Sequence, residues 1–287
     1  MSTSYRFLII DGYSKQSRDD LAAAGMALAW KLYANMLERW LPASEYDTLL
    51  PSDEGVQMPT ASELEKYHGI IWTGCNLCIN DTDNPSVVAQ IELAKQAYEI
   101  GIPSWGSCWG IQMAVVAAGG EVVQNPKGRE MGIARKISLT SEGIDHPLYE
   151  GKAPVFEAYI SHDDMVLKMP SGGKILSGNS FTAIQSAEVI HKNGTFWAVQ
   201  YHPEYDLNEM ASLIVAREEK LTNLGFFKGK ADFLDLVGKM KELFANPDRK
   251  DLRWQLAIDD DVLDVNIRQR EFKNWINNLV LPTAEGR

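Results

Sequence analysis

The pentapeptide Gly106-Ser107-Cys108-Trp109-Gly110 limits what this chain can fold into more than any other feature. It stands between an apolar run, Ile102 to Ser107, that reads as a strand, and a run from Trp109 to Ala118, stopped by Gly119-Gly120, that reads as a helix. A strand that becomes a helix within one residue needs flanking positions without Cβ atoms, and its central residue takes a strained backbone. Gly106 and Gly110 meet the first condition, which leaves Cys108 to carry the strain. Its side chain then projects at a helix N-terminus, where the dipole and free N–H groups favour thiolate over thiol.

The rest of the first half supports that placement. Tyr5 to Asp11 reads as a buried strand, followed by apolar residues at helical spacing from Leu21 to Trp40. A strand at His68 to Gly74 and a helix from Pro85 to Ile100 repeat the order. This alternation implies an α/β domain, an open and mainly parallel sheet flanked by helices. After Gly120 the chain changes to short β-rich pieces, with Lys192-Asn193-Gly194-Thr195 as a hairpin signal in which Asn-Gly tolerates positive φ. Helices return at Leu207 to Leu221, Lys230 to Ala245 and Asp261 to Val280.

The length of 287 residues, against roughly 150 per domain, allows one large domain or two small ones. With 28 Lys and Arg against 39 Asp and Glu, the net charge of -11 has the wrong sign for nucleic acid or an anionic membrane surface. No stretch approaches the roughly 18 consecutive apolar residues of a membrane span. Three cysteines cannot build a disulfide framework, so the default compartment is the cytoplasm. Cys75 and Cys78 have zinc spacing without a second pair, and neither a metal nor an organic cofactor is expected.

The second chemical signal is Gln200-Tyr201-His202-Pro203-Glu204, directly after the apolar strand Thr195 to Val199. A histidine at such a strand end presents its imidazole above the sheet edge, where loops and ligands gather. Glu204, two residues on, can reach the other ring nitrogen, fixing its tautomer and stabilising the imidazolium. Cys108, His202 and Glu204 thus offer nucleophile, base and orienter.

On these motifs the chain resembles the class I, or triad-type, glutamine amidotransferases, with the glutaminase domain of GMP synthetase as the nearest likeness and stand-alone γ-glutamyl hydrolases in the same superfamily. The resemblance covers about Tyr5 to Glu204. It implies a flavodoxin-like core in a catalytic domain of residues 1–225, with a helical C-terminal extension, 226–287, packed on it. It also implies an oxyanion hole from the backbone of Gly74 or Cys75 and of Trp109, and substrate contacts from Gln112, Arg129, Ser161, His162 and Asp164. Asp164 is preferred to Asp163 there, and Arg129 is read either as a substrate contact or as a structural partner of Glu130. The implied reaction is cysteine-dependent hydrolysis of a small-molecule γ-glutamyl amide, with Trp72, Trp105 and Trp109 read as accommodating a substituent on the amide nitrogen. Nothing downstream looks like a synthetase, so the alternatives are delivery of ammonia to a separate synthetase subunit, or an idle regulatory subunit. A monomer or homodimer is expected.

Overall fold

A computed structural model describes residues 4–286. Its strands are β1 Arg6–Ile10, β2 Glu45–Leu49, β3 Gly69–Trp72, β4 Ser104–Ser107, β5 Glu121–Gln124, β6 Glu130–Leu139, β7 Val155–His162, β8 Asp164–Lys168, β9 Gly173–Gly178, β10 Ser186–His191 and β11 Gly194–Val199. Nine of them form one sheet in the order β2-β1-β3-β4-β11-β10-β9-β6-β7, while β5 and β8 make a separate antiparallel pair. From β2 to β11 the pairing is parallel, and from β11 outward it is antiparallel. Seven of the nine strands therefore point one way, with β10 and β6 opposed, as an α/β sheet built mainly from crossover connections requires.

Strand alternation sends side chains to two helical layers. Leu8, Ile10, Ile70 and Trp72 pack with the helices Pro85–Ile100 and Trp109–Ala117, whereas Phe7, Ile9, Ile71 and Trp105 pack with the helix Ala29–Trp40. The second layer also takes Phe272, Trp275, Ile276 and Val280 from the C-terminal tail. Among the described residues no helix is long and apolar enough to cross a membrane.

Three local readings of the sequence are corrected. The run from Leu21 to Trp40 is two helices, Lys15–Ala23 and Ala29–Trp40, because Gly25 at φ +91 ends the first. The β10–β11 turn centres on Lys192-Asn193, with Lys192 at φ 51 and His191 paired to Gly194. Gly194 serves packing instead, since a Cβ there would come within 2.8 Å of Tyr98 Cα. The stretch from Asp261 to Val280 is broken, because Asp264 leaves helical geometry at ψ 117 and its side chain caps a new helix at Val265–Arg268. It then continues through Arg270–Trp275 into a π-helical turn, Ile276–Val280.

Candidate active site

The antiparallel wing curls back over the C-terminal ends of β4 and β11. The His202 amide donates to Tyr159 O in β7 at 2.8 Å, and the Cys108 thiol donates to Ser161 O at 3.6 Å. The ends of three strands thereby meet over one cleft of about 320 Å³.

Cys108 sits between β4 and the helix Trp109–Ala117 at φ 51, ψ -94, a left-handed conformation that disfavours any side chain with a Cβ. A Cβ on Gly106 would lie 2.5 Å from Gly110 Cα, and one on Gly110 would lie 3.0 Å from Trp72 O. Both glycines are therefore fixed by close approach of strand and helix. The Cys108 amide donates to Val199 O at 2.8 Å, which ties the turn to the end of β11 just ahead of the His-Pro-Glu segment.

His202 and Glu204 are both buried, with Nδ1 of the imidazole donating to Glu204 Oε1 at 2.7 Å. Burial pulls the imidazole pKa down, but the Glu204 carboxylate and hydrogen bonding with Cys108 overcome it and raise it to about 9. The ring stacks on Tyr205 at 4.1 Å between centroids. Glu204 is itself held on both oxygens, Oε2 accepting from the Tyr33 hydroxyl at 3.1 Å and Oε1 from Ser107 at 3.2 Å. Tyr33 carries no signal in the sequence, because it reaches the dyad through tertiary packing alone, and Ser107 and Tyr205, though they adjoin Cys108 and Glu204, show their roles only in the structure.

Gly74, just past β3, lies beside both groups, for a Cβ there would stand 2.8 Å from His202 Cε1 and 3.6 Å from Cys108 Cβ. Its neighbour Cys75 packs its sulfur against Gly12, and burial holds that thiol well above its usual pKa. Burial thus keeps the Cys75 thiol protonated. Trp109 is the first residue of the helix, and its indole donates to Gln90 Oε1 at 2.9 Å inside the core. Trp72, Trp105 and Trp109 are all buried in the sheet's packing layers, and none lines the cleft. The reading that they accommodate an amide substituent is overturned, because strand alternation turns Trp72 and Trp105 into the core layers and Trp109 points from the first turn of its helix to Gln90 in the core.

The other expected substrate contacts do converge. Gln112, Arg129, Ser161, His162 and Asp164 line the cleft with Cys108. Gln112 is 4% exposed and its Oε1 has no partner within the described protein. Arg129 does not pair with Glu130. It bonds Asp163 and, through its other terminal nitrogen, Ser161 Oγ at 2.7 Å. Glu130 faces the opposite way along β6 and accepts from His162 Nε2 at 3.0 Å, so both ring nitrogens of His162 are engaged internally. Burial opposes ionisation of Asp163, but Lys220 and Arg129 hold its carboxyl below the usual range, while burial moves Asp164 upward. Arg217 and Lys220, absent from the sequence reading, complete the wall. Among the described residues no three His, Cys, Asp or Glu side chains gather as a metal-holding group.

Comparison with known proteins gives the following likenesses. Residues 52–220 match the family model for glutamine amidotransferase class-I. A γ-glutamyl-L-1-hydroxyisopropylamide hydrolase of a Pseudomonas species is 30% identical over 286 residues, 98% of this chain and 95% of that protein. A glutamine-hydrolysing GMP synthase of Thermosipho africanus is 36% identical over 162 residues, 55% of this chain but only 28% of the synthase. Among solved structures, a Thermotoga maritima glutamine amidotransferase superposes with a TM-score of 0.68 at 15% identity, covering 96% of this chain and all of that one.

Proposed function

The chain belongs to the class-I glutamine amidotransferase family, and from its cleft we propose that it hydrolyses γ-glutamyl amides through a thioester on Cys108. The observation that carries this reading is the strained, buried cysteine that lines the cleft, next to a buried histidine that a carboxylate orients. Ala257 shares the cysteine's φ of 51 at a helix end, but with ψ 49 in the left-handed helical well, whereas Cys108 combines it with ψ -94 outside that well, which packing alone has no need of.

The Cys108 thiolate attacks the γ-carbonyl carbon, and the oxyanion is held by the N–H of Trp109 together with that of Gly74 or Cys75. His202, protonated at neutral pH, gives its proton to the departing ammonia or amine. The neutral imidazole then takes a proton from water, which attacks the thioester and releases glutamate. Glu204 holds the ring in register throughout and stabilises its charged form.

The likeness along nearly the whole chain to a γ-glutamyl amide hydrolase, against a match to barely more than a quarter of the GMP synthase, favours a hydrolase that acts without a synthetase. Incubating the purified chain alone with glutamine and a series of N-alkyl γ-glutamyl amides, and following glutamate, should show turnover of the substituted amides. Hydrolysis of glutamine only after a synthetase is added would select the ammonia-delivering subunit, and silence throughout would select an idle one.

The pH dependence follows from the same groups. The imidazolium form of His202 is present below about pH 9 and is lost as pH rises through that value. We expect kcat/KM to fall on the alkaline side near 9. Glu204→Gln removes the strongest of the effects that raise the imidazole, so the alkaline limb should move to lower pH, with kcat/KM reduced by about 10²–10⁴-fold. An unmoved limb would assign that titration to another group.

A further inference from the structure

We propose that Arg217, working with Arg129, is the carboxylate clamp of the cleft, and that it restricts the enzyme to γ-glutamyl amides whose α-carboxylate is free. This rests on the γ-glutamyl reading above and adds the residue that enforces it. Arg217 lies beyond the triad, where the helix Leu207–Ala216 ends. Its backbone, at φ -115 and ψ 19, turns the chain into a second short helix, Glu218–Asn223.

Three observations converge. Ser161 Oγ accepts from two guanidinium groups, Arg129 at 2.7 Å and Arg217 at 2.8 Å. Two like charges meeting on one neutral hydroxyl repel each other, and after burial it is Arg217 that most lowers the proton affinity of Arg129. The local countercharge does not settle this, because Asp163 already serves both Arg129 and Lys220, and Arg217 has no carboxylate partner among the described residues. An anion entering the cleft would relieve the repulsion, and a planar carboxylate suits the guanidinium fork.

The third observation is one of length. The carbonyl oxygen of Ser161 stands 3.6 Å from Cys108 Sγ, while its hydroxyl holds the two arginines. A single serine thus separates nucleophile from cations. In a γ-glutamyl amide three carbons separate the reacting carbonyl from the α-carboxylate, a span of the same order. Gln112 and Arg129 both line the same space, and each keeps a buried polar atom without a partner, Gln112 Oε1, which suits an α-ammonium, and Arg129 Nε, which suits an α-carboxylate.

The test compares binding of L-glutamine and of 4-aminobutanamide, which lacks only the α-carboxylate, by calorimetry on the full chain carrying Cys108→Ala. Arg217→Gln should shrink the preference for glutamine by about tenfold to a hundredfold, the range for a lost charge-assisted hydrogen bond. Arg217→Lys keeps the charge without the fork, should fall between, and carries the same comparison if the glutamine variant folds poorly. An equal loss for both ligands, no loss for either, or no binding of glutamine at all would overturn the clamp. Glutamine binding that depends on Arg217, in a protein that hydrolyses no γ-glutamyl amide, would instead overturn the proposed reaction and leave the clamp standing.

Discussion

Cys108→Gly is expected to abolish turnover and at the same time leave the fold as stable as the parent or more so. Removing a nucleophile that acts as a unit with its base costs about 10⁴–10⁶ in kcat, and the oxyanion donors alone cannot restore it. Stability should move the other way. A residue with a Cβ held at φ 51, ψ -94 stores on the order of 1–3 kcal/mol, which glycine does not. Against this stands the extra chain entropy that glycine loses on folding, about 0.5–1 kcal/mol. The net expectation is no loss, or a gain of up to about 2 kcal/mol. Cys108→Ala keeps the Cβ and its strain, so it should be as inactive as the glycine variant without the gain. Denaturant unfolding of the three proteins, beside glutamate release, decides the matter. A glycine variant destabilised by well over that margin would mean the cysteine is there to pack, and retained activity in either variant would end the thioester mechanism.

The same strain explains what could be read in the sequence. The elbow was legible because two glycines around a cysteine at a strand-to-helix junction are a local steric requirement, and the close approaches at Gly106 and Gly110 are that requirement in space. The helix Pro85–Ile100 was legible from its ends, with Asn84 capping, Pro85 at the first position and Gly101 left-handed at φ 87. Strand β2 was not, since Glu-Tyr-Asp-Thr-Leu at the sheet's edge is mostly exposed and shows little apolar alternation. Arg217 was illegible for a different reason. On the sequence it continues a helix from Leu207 to Leu221. Only the break there, and a hydrogen bond across 56 positions to Ser161, put it in the cleft. Arg129 and Glu130 look like a local pair in sequence, yet adjacent residues entering β6 face opposite sides, so they serve different networks.

The C-terminal tail gives the second large effect. Lys152 and Glu271 form a buried ion pair at 2.9 Å, their side chains 2% and 0% exposed. Lys152 also donates to Ile267 O at 2.9 Å and lies 4.6 Å from the Phe156 ring centroid. Glu271 accepts from Tyr201 at 2.7 Å, and the hydroxyls of Tyr201 and Tyr149 share a bond of 2.8 Å. The tail is thereby joined by a hydrogen bond to the residue preceding His202, and by Phe272 to the ring of Tyr33 that holds Glu204. Glu271→Ala leaves an ammonium in the core without its carboxylate, and breaking a buried pair from one side costs about 3–5 kcal/mol. Removing both charges should cost much less, because the desolvation penalty of each ion vanishes with its partner. The expected pattern is a strongly destabilised Glu271→Ala and a Lys152→Met, Glu271→Leu double variant much nearer the parent in denaturant midpoint. If Glu271→Ala lost under about 1 kcal/mol, the value of a surface pair, the tail would be a cover on the catalytic sheet and not part of its core.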